Sequence, residues 1–131
     1  MKNILVVDDD QQVRKMLRMT LEREGYIVCE AEDGAAAMVI YRAGSIDLVI
    51  TDIVMPEQEG IGLIMELKNQ DSAVRIIAIS GGGRMDAGTY LKWARRLGVE
   101  HTFTKPVGRK DMLSAVTILF ENAPVSCATI S

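Results

Sequence analysis

At 131 residues the chain has room for one folded domain and not two, and its 48% hydrophobic and 25% charged residues are the balance of an ordinary globular protein. No apolar stretch approaches the roughly 18–20 residues that cross a bilayer, so no membrane association is expected. A formal charge of −3, with no basic block longer than Arg95-Arg96, leaves no footprint for binding a phosphate backbone, so direct contact with nucleic acid is not expected either.

The N-terminal run carries one lysine and a short apolar stretch that gives way to Asp8-Asp9-Asp10, the wrong shape for a secretory signal, so a cytoplasmic location is expected. Ile4–Val7 reads as a strand. Val13, Met16, Leu17 and Leu21 recur at helical steps and predict a helix from about Gln12 to Glu24, capped by Asp9 or Asp10 and ended by Gly25. A second strand, Ile27–Cys29, leads to a helix that opens at Asp33-Gly34 and runs to Arg42, where Ala43-Gly44-Ser45 breaks it. Leu48–Thr51 is the third strand, Gly60–Lys68 the third helix and Arg75–Ile79 the fourth strand. Ser80-Gly81-Gly82-Gly83 begins a loop expected to be mobile, because glycine loses much entropy when fixed. A fourth helix around Thr89–Leu97, a fifth strand Thr102–Thr104 and a fifth helix at about Lys110–Asn122 follow, the last with Leu113, Val116, Leu119 and Phe120 on one side. Pro124–Ser131 reads as a frayed tail. Cys29 and Cys127 supply neither a disulfide framework nor a metal cluster.

Apolar runs alternating with helical patterns mark βα units around a parallel sheet, and in such sheets ligands sit beyond the carboxyl ends of the strands. Those ends carry Asp8-Asp9-Asp10, Asp52, Ser80 and Lys105-Pro106 after the first, third, fourth and fifth strands. Glu30, after the second, is expected at the sheet margin, away from this group. Singly, each has an ordinary use: Asp10 suits a helix cap, Ser80 a turn, Lys105 a solvated charge. Two further aspartates exceed what one cap needs, and Asp8 and Asp9 beside Asp52 without a cation would have raised pKa values and destabilise the fold. Three carboxylates, a hydroxyl and an ammonium on one edge suit phosphoryl transfer. One carboxylate is the nucleophile, Mg2+ takes the oxygen ligands, Lys105 offsets charge on the phosphoryl oxygens and Ser80 donates to one of them.

The blocks ILVVDDD (4–10), DLVITDIVMPEQEG (47–60), IIAISGGG (76–83) and GVEHTFTKPV (98–107), in this order and at this spacing, resemble the receiver domain of two-component response regulators. The resemblance runs from about Lys2 to Asn122. It implies a flavodoxin-like α/β fold, a (βα)5 three-layer sandwich around a parallel five-stranded sheet of order 2-1-3-4-5, known from a chemotaxis member of the family. It also implies a receiver domain over 1–122 and a flexible tail over 123–131. By position it makes Asp52 the phosphoacceptor, Asp9 a direct Mg2+ ligand, Asp8 an acidic-pocket residue acting mainly through water and the Val54 backbone carbonyl the remaining protein ligand. Ser80 matches the hydroxyl that swings toward the aspartyl phosphate, Lys105 the lysine that pairs with it and Pro106 the proline after a cis bond. The implied donor is a sensor histidine kinase or phosphotransfer protein, docking near the first helix and Gly60–Lys68. The implied reader is a downstream protein on the face of the fourth helix, fifth strand and fifth helix; Tyr90, Leu91 and Trp93 of the fourth helix either contribute to that face or pack inward. Such a protein is a phosphoacceptor switch rather than an enzyme, at most phosphorylating itself from small donors with Mg2+ and dephosphorylating itself.

Three departures bear on the switch. Thr102 stands three residues before Lys105, where the family usually has an aromatic switch side chain, and Phe103 points to the opposite face of the strand. The segment from Ser80 to Gly98 is longer than the family pattern, with the surplus in Gly81–Gly88. Val54 and Gly82 offer no acid or amide to orient water near the phosphate, which predicts slow self-dephosphorylation. Two other readings compete: a phosphorylation-independent binding module with the receiver fold, and a Mg2+-dependent aspartate-nucleophile phosphohydrolase. The intact acid, hydroxyl and lysine set argues against the first. The second usually needs a general acid two residues after its nucleophile, where this chain has Val54, and a cap domain for which there is no room.

Overall fold

The computed structural model describes residues 2–53, 59–80, 92, 94–99, 101–105 and 107–121. In chain order these form β1 (Asn3–Val7), α1 (Gln11–Arg23), β2 (Ile27–Ala31), α2 (Gly34–Arg42), β3 (Leu48–Asp52), α3 (Glu59–Gln70), β4 (Ile76–Ser80), a helical segment α4 at residues 92 and 94–96, β5 (His101–Thr104) and α5 (Arg109–Glu121). The strands pair in parallel in the order β2-β1-β3-β4-β5, as the resemblance implies.

Runs such as ILVV and LVIT show no polar alternation because both faces of the sheet are covered. Leu5, Val7, Val49, Ile76 and Ala78 pack on one face with Ala37 and Met38 of α2, Leu63, Ile64 and Leu67 of α3, and Ala94 of α4. Ile4, Val6, Leu48, Ile50, Ile77 and Ile79 pack on the other with Leu17 and Leu21 of α1 and Met112, Ala115, Val116 and Leu119 of α5. The strand period of two thus divides each continuous run between two cores, and each fully buried Ile or Leu contributes about 1.5–3 kcal/mol.

The helix boundaries follow local chemistry. Asp10 caps α1, its side chain accepting from Gln12 N, and Asp33 caps α2 by accepting from Ala36 N. Gly25, at φ +92°, reverses the chain after α1 in a conformation that side chains disfavour.

Several elements run beyond their apolar stretches. β2 continues to Ala31 and so includes Glu30, β3 ends on Asp52 itself, and β4 ends on Ser80. Ladder pairing explains this: Asp52 stands opposite Ile79 and Ser80 opposite Thr104, so polar side chains ride on backbones that still pair. α3 extends to Gln70, past Lys68, where no glycine or proline stops it. At the other end of β3, Asp47 accepts a hydrogen bond from Asn3 N at 2.8 Å, which ties the start of that strand to β1.

β1 has β2 on one side and β3 on the other, so the chain reverses its direction of travel across the sheet there. The crevice beyond the carboxyl ends of β1 and β3 is therefore the place where this class of sheet binds ligands.

Candidate functional site

β1 delivers Asp8 to that crevice and β3 delivers Asp52; they are only 1% and 3% exposed. Asp9 is exposed beside them, and each of the three offers a carboxylate oxygen within 4.8 Å of the others. Lys105, just past β5, reaches across both buried acids. Its Nζ donates to Asp52 Oδ2 at 3.0 Å and lies 2.9 Å from Asp8 Oδ2.

The second contact is an ion pair without hydrogen-bond alignment, and Asp8 Oδ2 is a buried oxygen to which no described group donates a hydrogen bond. Asp8 Oδ1, by contrast, accepts from Asp10 N at 2.9 Å. Burial raises the pKa of Asp8 above the ordinary carboxylate value, against the opposing pull of Lys105 and the Asp10 amide. For Lys105 burial works the other way, but its contacts with Asp8 and Asp52 outweigh it and hold the ammonium above its ordinary value. The lysine therefore stays charged, while Asp8 ionises against the cost of burial.

The backbone around these groups is closely fixed. Lys105 N donates to Ser80 O at 2.8 Å and Ile53 N to Ile79 O at 2.9 Å, so the ends of β3, β4 and β5 are tied in sequence. Thr51 Oγ1 donates to Asp52 O at 2.9 Å. Gly60, at the start of α3, lies against the end of β3: a Cβ there would overlap Ile53 Cα and stand 2.6 Å from Asp52 O. Only glycine lets the helix come this close to the strand that carries Asp52.

The sequence-predicted residues Asp8, Asp9, Asp52 and Lys105 are thus brought together. Ser80 is fully buried at the end of β4, one ladder step from Asp52's partner Ile79. Thr102 lies opposite Ala78 on β5, and its hydroxyl accepts from Arg95 Nη2 of α4 at 3.1 Å. Phe103 packs on the other face, in the α1 and α5 core, as expected for the next residue of a strand. The Val54 carbonyl, Pro106, residues 81–88, Tyr90, Leu91 and Trp93 lie outside the described residues.

Two arginines went unread in the sequence. Arg95 carried no signal beyond its charge. Arg14 sits between the apolar positions Val13 and Met16, yet its guanidinium turns under the acidic loop to Asp8 O and Glu30. Glu30 does lie on an edge strand, but through Arg14 it is joined to the acidic group rather than separate from it. Hydrogen bonds from Arg18 and Arg14 hold the Glu30 carboxyl below its ordinary value.

Three carboxylates in contact range, with a buried Asp8 oxygen that has no aligned donor, fit a small divalent cation such as Mg2+, which favours carboxylates and retains waters. Known proteins resemble this chain over most of its length. The family model described as the response regulator receiver domain matches residues 4–117. The chemotaxis protein CheY of Halobacterium salinarum is 35% identical over 116 residues, covering 88% of this chain and 94% of its own. The Bacillus subtilis CheY is 37% identical over 114 residues, covering 86% and 92%. The crystal structure of the response regulator TrrA from Thermotoga maritima, in complex with Mg2+ and BeF, superposes with a TM-score of 0.78 at 28% identity, over 91% of this chain and 99% of that one. The chain belongs to the receiver domains of two-component response regulators, a family whose members are phosphorylated on an aspartate and bind Mg2+ at an acidic pocket.

Proposed function

We propose that Asp52 is the phosphoacceptor of this receiver and that Asp9, Asp8 and Asp52 hold its Mg2+, with the Val54 carbonyl as a further ligand. The observation that carries this reading is the Lys105 ammonium placed 3.0 Å from Asp52 Oδ2 and 2.9 Å from Asp8 Oδ2, two acids of the three-carboxylate cluster. Bound Mg2+ would offset charge on the phosphoryl oxygens. The donor is a phosphohistidine on a sensor kinase or phosphotransfer protein. An Asp52 oxygen attacks phosphorus, the new O–P bond forms as the P–N bond breaks, and the electron pair stays with the imidazole nitrogen.

The remaining residues act on the product. Lys105 exchanges its contact with the Asp52 carboxylate for one with the phosphoryl group, and Ser80 donates its hydroxyl to a phosphoryl oxygen. The phosphoryl charge then shifts a two-state equilibrium of the backbone after Ser80, with Thr102 as the second switch position. A downstream protein reads the α4, β5 and α5 face. Receiver domains are phosphoacceptor switches rather than enzymes; for this chain we assign residues 1–122 to the receiver and 123–131 to a tail, a cytoplasmic location, and slow self-dephosphorylation because Val54 and Gly82 cannot orient water.

The test is incubation with acetyl phosphate and Mg2+, with the Asp52→Asn variant alongside. One labile phosphoryl group per chain, absent from the variant, is expected. Sustained hydrolysis of phosphoesters would instead support the hydrolase, and neither reaction would leave a binding module.

A further inference from the structure

Arg14 takes part in no step above, yet it is the side chain that grips the backbone of the acidic loop. Its side chain is 13% exposed; Nη1 donates to Asp8 O at 2.7 Å and Nε to Glu30 Oε1 at 3.1 Å. The other Glu30 oxygen accepts from Arg18 Nη1 at 2.9 Å, and Arg18 also pairs with Glu22 at 3.1 Å. Glu30 is in register with Val6, and the next residue of β2, Ala31, accepts from Asp8 N at 3.2 Å. The N–H and the C=O of Asp8 are therefore both held from outside the loop, one by β2 and one by a side chain that β2 clamps.

The Asp8 carbonyl belongs to the planar peptide unit that leads into Asp9, so fixing it fixes the plane from which the Asp9 carboxylate projects. We propose that Arg14 is a positioning residue for the metal site: clamped by Glu30, it holds the Asp8–Asp9 peptide so that Asp9 faces Asp8 and Asp52. This rests on the reading of those three aspartates as the Mg2+ site. A guanidinium suits the task because its planar fork spans two acceptors at fixed geometry, which an ammonium does not. Glu30 has a second use: it neutralises a cation that would otherwise repel Mg2+ from close range.

Groups that orient metal ligands typically change affinity by about 10–100-fold. Mg2+ binding by titration calorimetry, with thermal melting of the same samples, tests the assignment on the wild type, Arg14→Ala, Arg14→Lys, Glu30→Gln and Leu21→Ala. Arg14→Ala is expected to bind Mg2+ about tenfold more weakly, at the low end of that range. Arg14→Lys should not restore affinity, and Glu30→Gln should fall between. Leu21→Ala, on the buried side of α1, should melt lower with its Mg2+ affinity unchanged. Labelling of Arg14→Ala by acetyl phosphate should recover as Mg2+ is raised. Equal affinity in the wild type and Arg14→Ala, full affinity in Arg14→Lys, or a loss in Leu21→Ala that tracks its melting point would each overturn the positioning role. If Arg14→Ala does not fold, Arg14→Lys and Glu30→Gln decide on the same readings. A wild-type protein that binds no Mg2+ overturns instead the assignment of the acidic cluster.

Discussion

The carboxyl ends of β1 and β3 and the outer strand β5 lie along one sheet but are built in different ways. At β1 and β3, Asp8 and Asp52 are buried, share one lysine, and sit on backbone held by Ala31, Arg14, Ile79 and the close approach of Gly60. On β5, Thr102 meets α4 through a bond to the exposed side chain of Arg95. Buried charge in fixed geometry is costly to rearrange, whereas an exposed hydrogen bond exchanges readily with water. The contrast fits the proposed division, with the chemistry at the rigid end and the response at the looser one.

Breaking the rigid end should have the larger consequences. Gly60→Val forces a branched side chain into the backbone of Ile53 and Asp52. A loss of about 3 kcal/mol or more is expected in denaturant titration, with phosphorylation falling further than stability because Asp52 is displaced. Lys105→Ala leaves two buried carboxylates facing each other. In chelator it should cost about 2 kcal/mol, less than the ~3–5 of a fully buried pair because the lysine is 24% exposed. The sign with pH follows from Asp8, whose folded pKa is already raised by burial and rises further without the lysine. Protonating it relieves the strain, so Lys105→Ala should gain on the wild type as pH is lowered from neutral. A constant gap in melting temperature between the two would contradict this.

The edge of the acidic end should give a smaller effect. Hydrogen bonds from Arg18 and then Arg14 depress the Glu30 pKa, so its contribution is present above the unfolded value of roughly 4.3 and is lost as pH falls through the folded value. Glu30→Gln should therefore cost about 1 kcal/mol or less near neutral pH, and the gap should close in acid. The smallest effect belongs to the looser end. Arg95→Ala removes the Thr102 bond and should change stability by about 0.5 kcal/mol, with phosphorylation unaltered. A large loss of labelling in Arg95→Ala would erase the distinction between the two ends.

Much of this was legible in the sequence. Doubly covered strands announce themselves as unbroken apolar runs, and Asp8 and Asp52 follow such runs, while Lys105 follows the shorter, more polar β5, so their convergence needs only the sheet order. Exact strand ends were less legible, because pairing of Asp52 and Ser80 depends on the neighbouring strand rather than on their own polarity. Arg14 was invisible for a related reason. An arginine on an amphipathic helix reads as solvated, and its turn toward Asp8 depends on Glu30, sixteen residues away on another strand. Gly60 likewise reads as an ordinary helix residue until the approach of α3 to β3 is seen.

The acid at the tip of β3, Asp52, is the proposed acceptor of the phosphoryl group. Borohydride reduces an acyl phosphate to an alcohol, and peptide mass spectrometry locates the reduced side chain. After treatment with acetyl phosphate and Mg2+, reduction is expected at Asp52 and nowhere else. Reduction at Asp8 or Asp9, or labelling that persists in Asp52→Asn, would contradict it.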